Sequence, residues 1–312
     1  MKNKAILLDF KMLKVIFEIE EIKLNCSMRK LVIIALLGLF INLPQGLTGQ
    51  INIVTYNIRY ANKQDGLNDW FHRSSGICNQ IQKYDADFIG LQEALFIQIK
   101  DVEKSLGAKY SFIGVGRDFG DTIGEHCPLF YRSDIYQKVD TSAKSTFWLS
   151  ETENIPSKSW DAALPRIATG GMFKNMKTNK LVYVLNTHFD HVGNEARIKS
   201  MYLINKRIKS YLDSGIAVVL MGDFNLPPQS EPIVWISTKL TDCRKSIYAQ
   251  VKMEDIKHTF NGFKETSNGP IIDYVFTSNN LRTFFYEVDQ RQRGKDLFYS
   301  DHFPVIVKLK LD

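Results

Sequence analysis

The sequence predicts an α/β domain in which two packed β-sheets carry helices on their outer faces. Three observations lead there. Short β-branched and aromatic runs recur from Ile51 to the C-terminus, only three segments carry convincing helical character, and no linker, repeat or low-complexity stretch interrupts residues 50–312. A span of about 260 residues is long enough for one domain with a sizeable core.

The elements follow in chain order. Ile51 to Ile58 reads as the first strand, Phe71 to Tyr84 as a helix, Asp87 to Leu91 as a strand, and Ala94 to Leu106 as a helix with Gly107 as its C-cap. Ser111 to Val115, Leu129 to Arg132, Ser145 to Leu149, Gly170 to Phe173 and Leu181 to Thr187 are strands by their β-branched and aromatic content. Glu195 to Leu212 is the clearest helix, because Met201, Ile204, Ile208 and Leu212 recur at helical spacing with Lys and Arg between them. Ile216 to Met221, Ile271 to Thr277, Thr283 to Val288 and Val305 to Leu309 complete the strands.

The first fifty residues read as export machinery. Met28, Arg29 and Lys30 make a charged start, Leu31 to Leu43 is an apolar run of secretory length, and Pro44, Gly46 and Gly49 suit cleavage before Ile51. The run is shorter than the roughly 20 residues of a membrane span. Residues 28–49 are therefore expected to be a signal peptide, and residues 1–27 an extension upstream of the true start. The mature chain is expected to be a periplasmic or secreted monomer without stable membrane insertion. An N-terminal helix or retained anchor is the alternative.

Charge and cysteine content narrow the function. The whole chain carries +6, but seven of its 40 Lys/Arg and four of its 34 Asp/Glu fall in residues 1–49, which leaves 33 against 30. That near-neutral balance is not the footprint of an obligate nucleic-acid binder. Cys26 precedes the apolar run, where a lipid-modified cysteine would follow it. Cys78, Cys127 and Cys243 form no C-x-x-C pair, so buried free thiols are expected and no zinc site is read.

Five polar segments then stand at or just after β-prone runs: TYNI (Thr55 to Ile58), LQEA (Leu91 to Ala94), NTHFD (Asn186 to Asp190), MGDFN (Met221 to Asn225) and SDHFP (Ser300 to Pro304). Strand exits on a common sheet edge can converge on one cleft. Hydrolysis of a phosphate ester needs a cation for the phosphoryl oxygens, a base for water, and donors for the transition state. Glu93 and Asp301 offer the hard oxygens that Mg²⁺ prefers. Asp223 is placed to prepare water, and Asn225, on the same side if the chain stays extended, can donate without adding charge. His188 and His302 can bind or protonate phosphoryl oxygens, with Asp273 in IIDYVF as orienter of His302. Taken singly, each has a bland reading: a strand-end carboxylate is more often a cap, and a lone histidine more often structural.

As a set, the segments resemble the endonuclease/exonuclease/phosphatase superfamily from Ile51 to Leu311. The strand-one Asn corresponds to Asn57, the metal-binding Glu of the Q-E pair to Glu93, the Asp and Asn of G-D-x-N to Asp223 and Asn225, and the S-D-H pair to Asp301 and His302. Asp273 matches the partner of that last histidine, and His188 falls where nucleases and sphingomyelinases of the family carry one. The resemblance implies a four-layered α/β sandwich of two mixed β-sheets flanked by helices. It also implies a Mg²⁺ or Mn²⁺ requirement, in-line attack of water on phosphorus, and a metal group of Glu93, Asp301 and Asn57. Glu125 resembles the carboxylate that partners the first histidine in deoxyribonuclease-like members.

The connection from Phe147 to Gly171 is long, polar and aromatic, which marks it as the substrate side. There Arg166 could clamp a phosphate, Trp148 and Trp160 could stack on a sugar or base, and Asp190 and Glu125 are expected beside the substrate. Arg197 is a further substrate contact or a surface charge, and His126 and His191 carry no assigned role. The expected partner is a phosphate ester, a small molecule or a nucleic acid. A diester is favoured over a monoester through His188; a secreted nuclease and an inactive binding protein on the same fold are the alternatives.

Overall fold

The computed structural model describes residues 49–139, 144–248, 257–265 and 268–312. The upstream extension 1–27, with Cys26, and the signal peptide apart from Gly49 lie outside the described residues. In chain order the main elements are β1 (Gln50–Asn57), α1 (Trp70–Tyr84), β2 (Phe88–Gln92), α2 (Phe96–Leu106), β3 (Tyr110–Ile113), β4 (Leu129–Arg132), β5 (Tyr136–Val139), β6 (Thr146–Trp148), β7 (Ile167–Asn175) and β8 (Leu181–His188). They continue with α3 (Asn194–Asp213), β9 (Ala217–Asp223), α4 (Glu231–Ile236), β10 (Thr241–Asp242), α5 (Cys243–Tyr248), β11 (Asp273–Thr277), β12 (Leu281–Val288) and β13 (Val305–Leu311).

One sheet runs β12-β13-β1-β2-β4-β3 and the other β10-β11-β9-β8-β7-β5, with β6 also on β7. Both are mixed, because β1 pairs with β2 and β8 with β9 in parallel among antiparallel neighbours. Alternation along each strand builds the layers. Ile51, Ile53, Val184, Val219, Met221, Val275 and Val307 face one another between the sheets. Val54, Tyr56, Ile89 and Leu91 face outward onto Ile77, Ile81, Ile99 and Val102 of α1 and α2. Val218 and Leu220 pack on Met201, Ile204 and Ile208 of α3 and on Ile233 and Ile236 of α4. The result is the expected helix–sheet–sheet–helix sandwich.

Short elements escape sequence reading. β5, β10, α4 and α5 are four, two, six and six residues long, too short to display a period of 2 or 3.6. Among the described residues, Cys78, Cys127 and Cys243 are buried free thiols, and no helix is long and apolar enough to cross a membrane.

Candidate active site

The alternation that fills the core also delivers the polar residues. On β1 the inward row Ile51, Ile53, Thr55 ends at Asn57; on β9 the row Ala217, Val219, Met221 ends at Asp223; on β8 Val182, Val184 and Asn186 lead to His188. The strand order brings these ends to one edge of the inter-sheet space. A buried amide layer lies beneath them: Gln92 Nε2 donates to Asn186 Oδ1 at 2.6 Å and to Thr55 Oγ1 at 3.0 Å, and Asn186 Nδ2 donates to the carbonyls of Leu91 and Pro128. Polar bonds across the sheets fix their relative register directly below the site.

Asp223 is the hub. It is 1 % exposed and takes an N–H from Asn57 Nδ2 at 3.0 Å. His188 Nε2 lies 3.4 Å and His302 Nε2 3.6 Å from its Oδ2. Asp273 is its cross-strand partner in register. Burial, then the negative charge of Asp273, push the Asp223 carboxyl up to about 7. His302 Nδ1 donates to Asp273 Oδ2 at 2.9 Å. Burial would lower the His302 pKa, but Asp273 and Asp223 outweigh it and hold it at about 10.

Asn57 also donates to Glu93 Oε1 at 3.0 Å, and its own Oδ1 accepts the Arg59 N–H at 3.0 Å. It therefore ties Glu93 to Asp223. Glu93 and Asp301 flank the Arg59 guanidinium, at 3.8 and 4.0 Å. Burial, with a further contribution from the Glu93 charge, raises the Asp301 pKa against the opposing pull of His302. Glu93, Asn225 and Arg59 all adopt left-handed backbone, with φ of 59°, 50° and 53°. Such conformations are costly for Glu and Arg, are tolerated by Asn, and cluster at functional turns.

Asn225 reaches the site by that turn, whereas extended backbone was expected. Its Nδ2 donates to Phe189 O at 3.0 Å and lies 3.1 Å from His188 Nε2.

The residues expected on the substrate side are each held by protein partners. Arg166 is 6 % exposed and points its guanidinium at His188 Nδ1, His191 Nδ1 and Asp190. Asp190 accepts backbone N–H groups from Ala163, Leu164, Val192 and Gly193. Burial opposes its ionisation, yet these four donors draw its pKa down to about 2. Glu125 does not partner His188; it forms a two-pronged pair with Arg117 at 2.8 and 2.9 Å. Trp148 is a core residue whose indole N–H donates to Arg117 O at 2.7 Å, Arg197 Nη1 donates to Asp190 O at 3.1 Å, and buried His126 contacts Gly124 O at 3.0 Å. Trp160 alone of the proposed stacking pair is half-buried, in a left-handed turn with φ 58°.

Sequence reasoning missed two arginines. Arg59 could have been found, since it stands two residues beyond Asn57 at a strand exit shared with acidic motifs. Arg73 has no such signal. It is fully buried on α1 and donates to the carbonyls of Ile58, Arg59, Asn68 and Tyr299, which pins the β1 exit to the segment before Asp301.

Two groups bear on a cation. Asp223, Asp273 and His302 each offer an atom within 4.8 Å of one another and could hold a metal. The carboxylates that keep His302 protonated, however, leave its ring without a free lone pair. Glu93 and Asp301 are hard oxygen donors with side-chain exposures of 14 % and 12 %, facing a shared cationic neighbour. That donor chemistry fits a hard divalent ion better.

With this geometry in view, the comparisons are specific. The model of the Endonuclease/Exonuclease/phosphatase family matches residues 54–302, and the chain belongs to that family. It is a hydrolase of phosphate esters. An endonuclease/exonuclease/phosphatase from Bacteroides vulgatus is 36 % identical, with a TM-score of 0.76 over 84 % of this chain and 99 % of that one. The mannosyl-6-phosphatase of Bacteroides thetaiotaomicron is 34 % identical, with a TM-score of 0.74 over 83 % and 99 %. The catalytic domain of human Nocturnin shares the fold at 16 % identity and a TM-score of 0.67, over 85 % and 96 %. A search of curated protein sequences gives no match.

Proposed function

We propose that this chain is an exported, Mg²⁺-dependent phosphomonoesterase that removes phosphate from a sugar by attack of a water prepared by Asp223. The observation that carries the reaction is the buried Asp223 carboxylate. It is held near neutral pKa among Asn57, Asn225, His188 and His302, and a base is most useful when its pKa lies near the working pH. Asp223 takes the water proton while Asn225 and His188 supply N–H donors to the phosphoryl oxygens. His302 remains cationic against Asp273 and adds positive charge where negative charge develops. Glu93 and Asp301 would hold Mg²⁺, or Mn²⁺ in its place. The ion would neutralise phosphoryl oxygens when bound.

Two points support a monoester over the diester favoured by sequence. The Glu125 pairing that would liken His188 to deoxyribonuclease-type members is replaced by Arg117–Glu125. A protein 34 % identical over nearly its whole length is a mannosyl-6-phosphatase. Export rests on the charged start and apolar run of residues 28–43. The test is release of inorganic phosphate from hexose 6-phosphates by residues 50–312, with Mg²⁺ and with chelator. Phosphate release that the chelator stops is expected. Hydrolysis confined to diesters would replace the substrate class, and chelator-resistant turnover would remove the metal.

A further inference from the structure

We propose that Arg166 is a positioning residue that fixes the ring proton of His188 on Nε2, and that His191 is the second anchor of its guanidinium. The inference deepens the proposed reaction and rests on it for its consequence, but the geometry stands by itself.

Arg166 is buried, and each edge of its fork has a partner. Nη1 lies 3.1 Å from His188 Nδ1, Nη2 lies 3.0 Å from His191 Nδ1, and Nε lies 3.5 Å from Asp190 Oδ2. A guanidinium has five donors, no acceptor, and does not lose its proton in proteins. Both Nδ1 atoms must therefore present lone pairs. Both His188 nitrogens face a donor, Arg166 Nη1 at 3.1 Å on Nδ1 and Asn225 Nδ2 at 3.1 Å on Nε2. The charged guanidinium is the stronger donor, so Nδ1 keeps the lone pair and the one proton of the neutral imidazole sits on Nε2, 3.4 Å from Asp223 Oδ2.

The surroundings hold the arginine in that orientation. Asp190, which receives the Arg166 Nε–H, is itself locked by four backbone N–H groups from the two loops that meet there. His191 completes the grip from the solvent side, its side chain 50 % exposed.

The chemical consequence is a division of labour. A histidine partnered by a carboxylate carries Nδ1–H and offers Nε2 as an acceptor. Partnered by arginine, the polarity is reversed: His188 becomes a permanent donor toward the phosphoryl group and cannot take the proton of water. Asp223 is then left as the base. Arg166 acts through His188 and touches no substrate atom.

Long-range proton–nitrogen NMR of the ¹⁵N-labelled protein near neutral pH reads the tautomer directly, with the His188 ring assigned by its loss in His188→Asn. Expected is an unprotonated Nδ1 and a protonated Nε2, whether or not any substrate has been found. A proton on Nδ1 overturns the proposal, whereas failure to hydrolyse phosphate esters overturns only the proposed function.

Kinetics supply the second arm. Arg166→Met should lower kcat on the order of 10²-fold, the scale of a catalytic group misplaced by about 1 Å, with KM and inhibition by inorganic phosphate little changed. Added guanidinium should restore part of the rate. A raised KM and weaker phosphate inhibition at unchanged kcat would instead make Arg166 a substrate clamp. His191→Leu alters only the exposed anchor and guards against misfolding. It should lower kcat less than Arg166→Met at constant KM, and kcat equal to the native value would remove His191 from the device.

Discussion

At the scale of single residues, the site separates charges that would otherwise cancel. Asp223 and Asp273 stand opposite each other in adjacent strands, and His302 bonds one and approaches the other. Two carboxylates this close cannot both ionise freely without a cation, so His302 stays protonated while burial keeps Asp223 reluctant to ionise. The sign for catalysis follows. A base with its pKa raised to about 7 is mostly protonated in mild acid, so kcat should climb as pH rises through about 7. It should fall again as His302 loses its proton near 10. A kcat–pH profile at saturating Mg²⁺ checks both limbs, and a profile flat from mild acid to neutrality would exclude Asp223 as base. Asp223→Asn should cut kcat by about 10²–10⁴-fold, the usual worth of a positioned acid or base.

At the scale of elements, positions that look like connectors hold the machinery in register. Gly222 pairs with Thr187 between β8 and β9, with φ 148°, and a Cβ there would lie 2.0 Å from Thr187 O. Gly222→Ala should cost roughly 3 kcal/mol, at the upper end for backbone strain, and displace both His188 and Asp223; urea unfolding measures the first effect and kcat the second. Arg73→Met would leave four carbonyls without their charged donor and should cost at least about 3 kcal/mol, read in the same unfolding experiment. The strands and the three long helices were legible because alternation and helical spacing survive over their length. So were the motif residues at strand exits. For Arg166, Asp190 and Glu125 the pairing was not legible, because sequence shows the charge of a loop residue but not its partner. Arg166 meets His188 twenty-two residues on, whereas Glu125 is taken by Arg117 and Asp190 in part by Val192 and Gly193, within its own loop. Asn225 was put on the right side for the wrong reason, since a left-handed turn rather than extended backbone brings it round.

At the scale of the whole molecule, the sandwich is a device for bringing strand ends from two sheets to one edge. Asn57 and Glu93 come from one sheet, His188, Asp223 and Asp273 from the other, and Asp301 and His302 from the segment that enters β13. The Asn57–Asp223 bond and the Gln92–Asn186 bond cross the gap between them. A divalent ion held by Glu93 and Asp301 should therefore stabilise the entire fold. At about 100 times its Kd it adds about 2.7 kcal/mol, and at about 2–4 °C per kcal/mol for a domain near this size the melting temperature should rise by about 5–10 °C. Thermal unfolding with and without Mg²⁺ checks this, and the rise should be lost in Glu93→Gln.

The most direct measurement is phosphate release from a hexose 6-phosphate by the native protein and by Asp223→Asn, each with saturating Mg²⁺. Expected is turnover by the native protein and its near-abolition in a variant with the same unfolding profile. A correctly folded Asp223→Asn protein that hydrolyses the ester at close to the native rate would contradict the assignment of Asp223 as the base and, with it, the mechanism built around it.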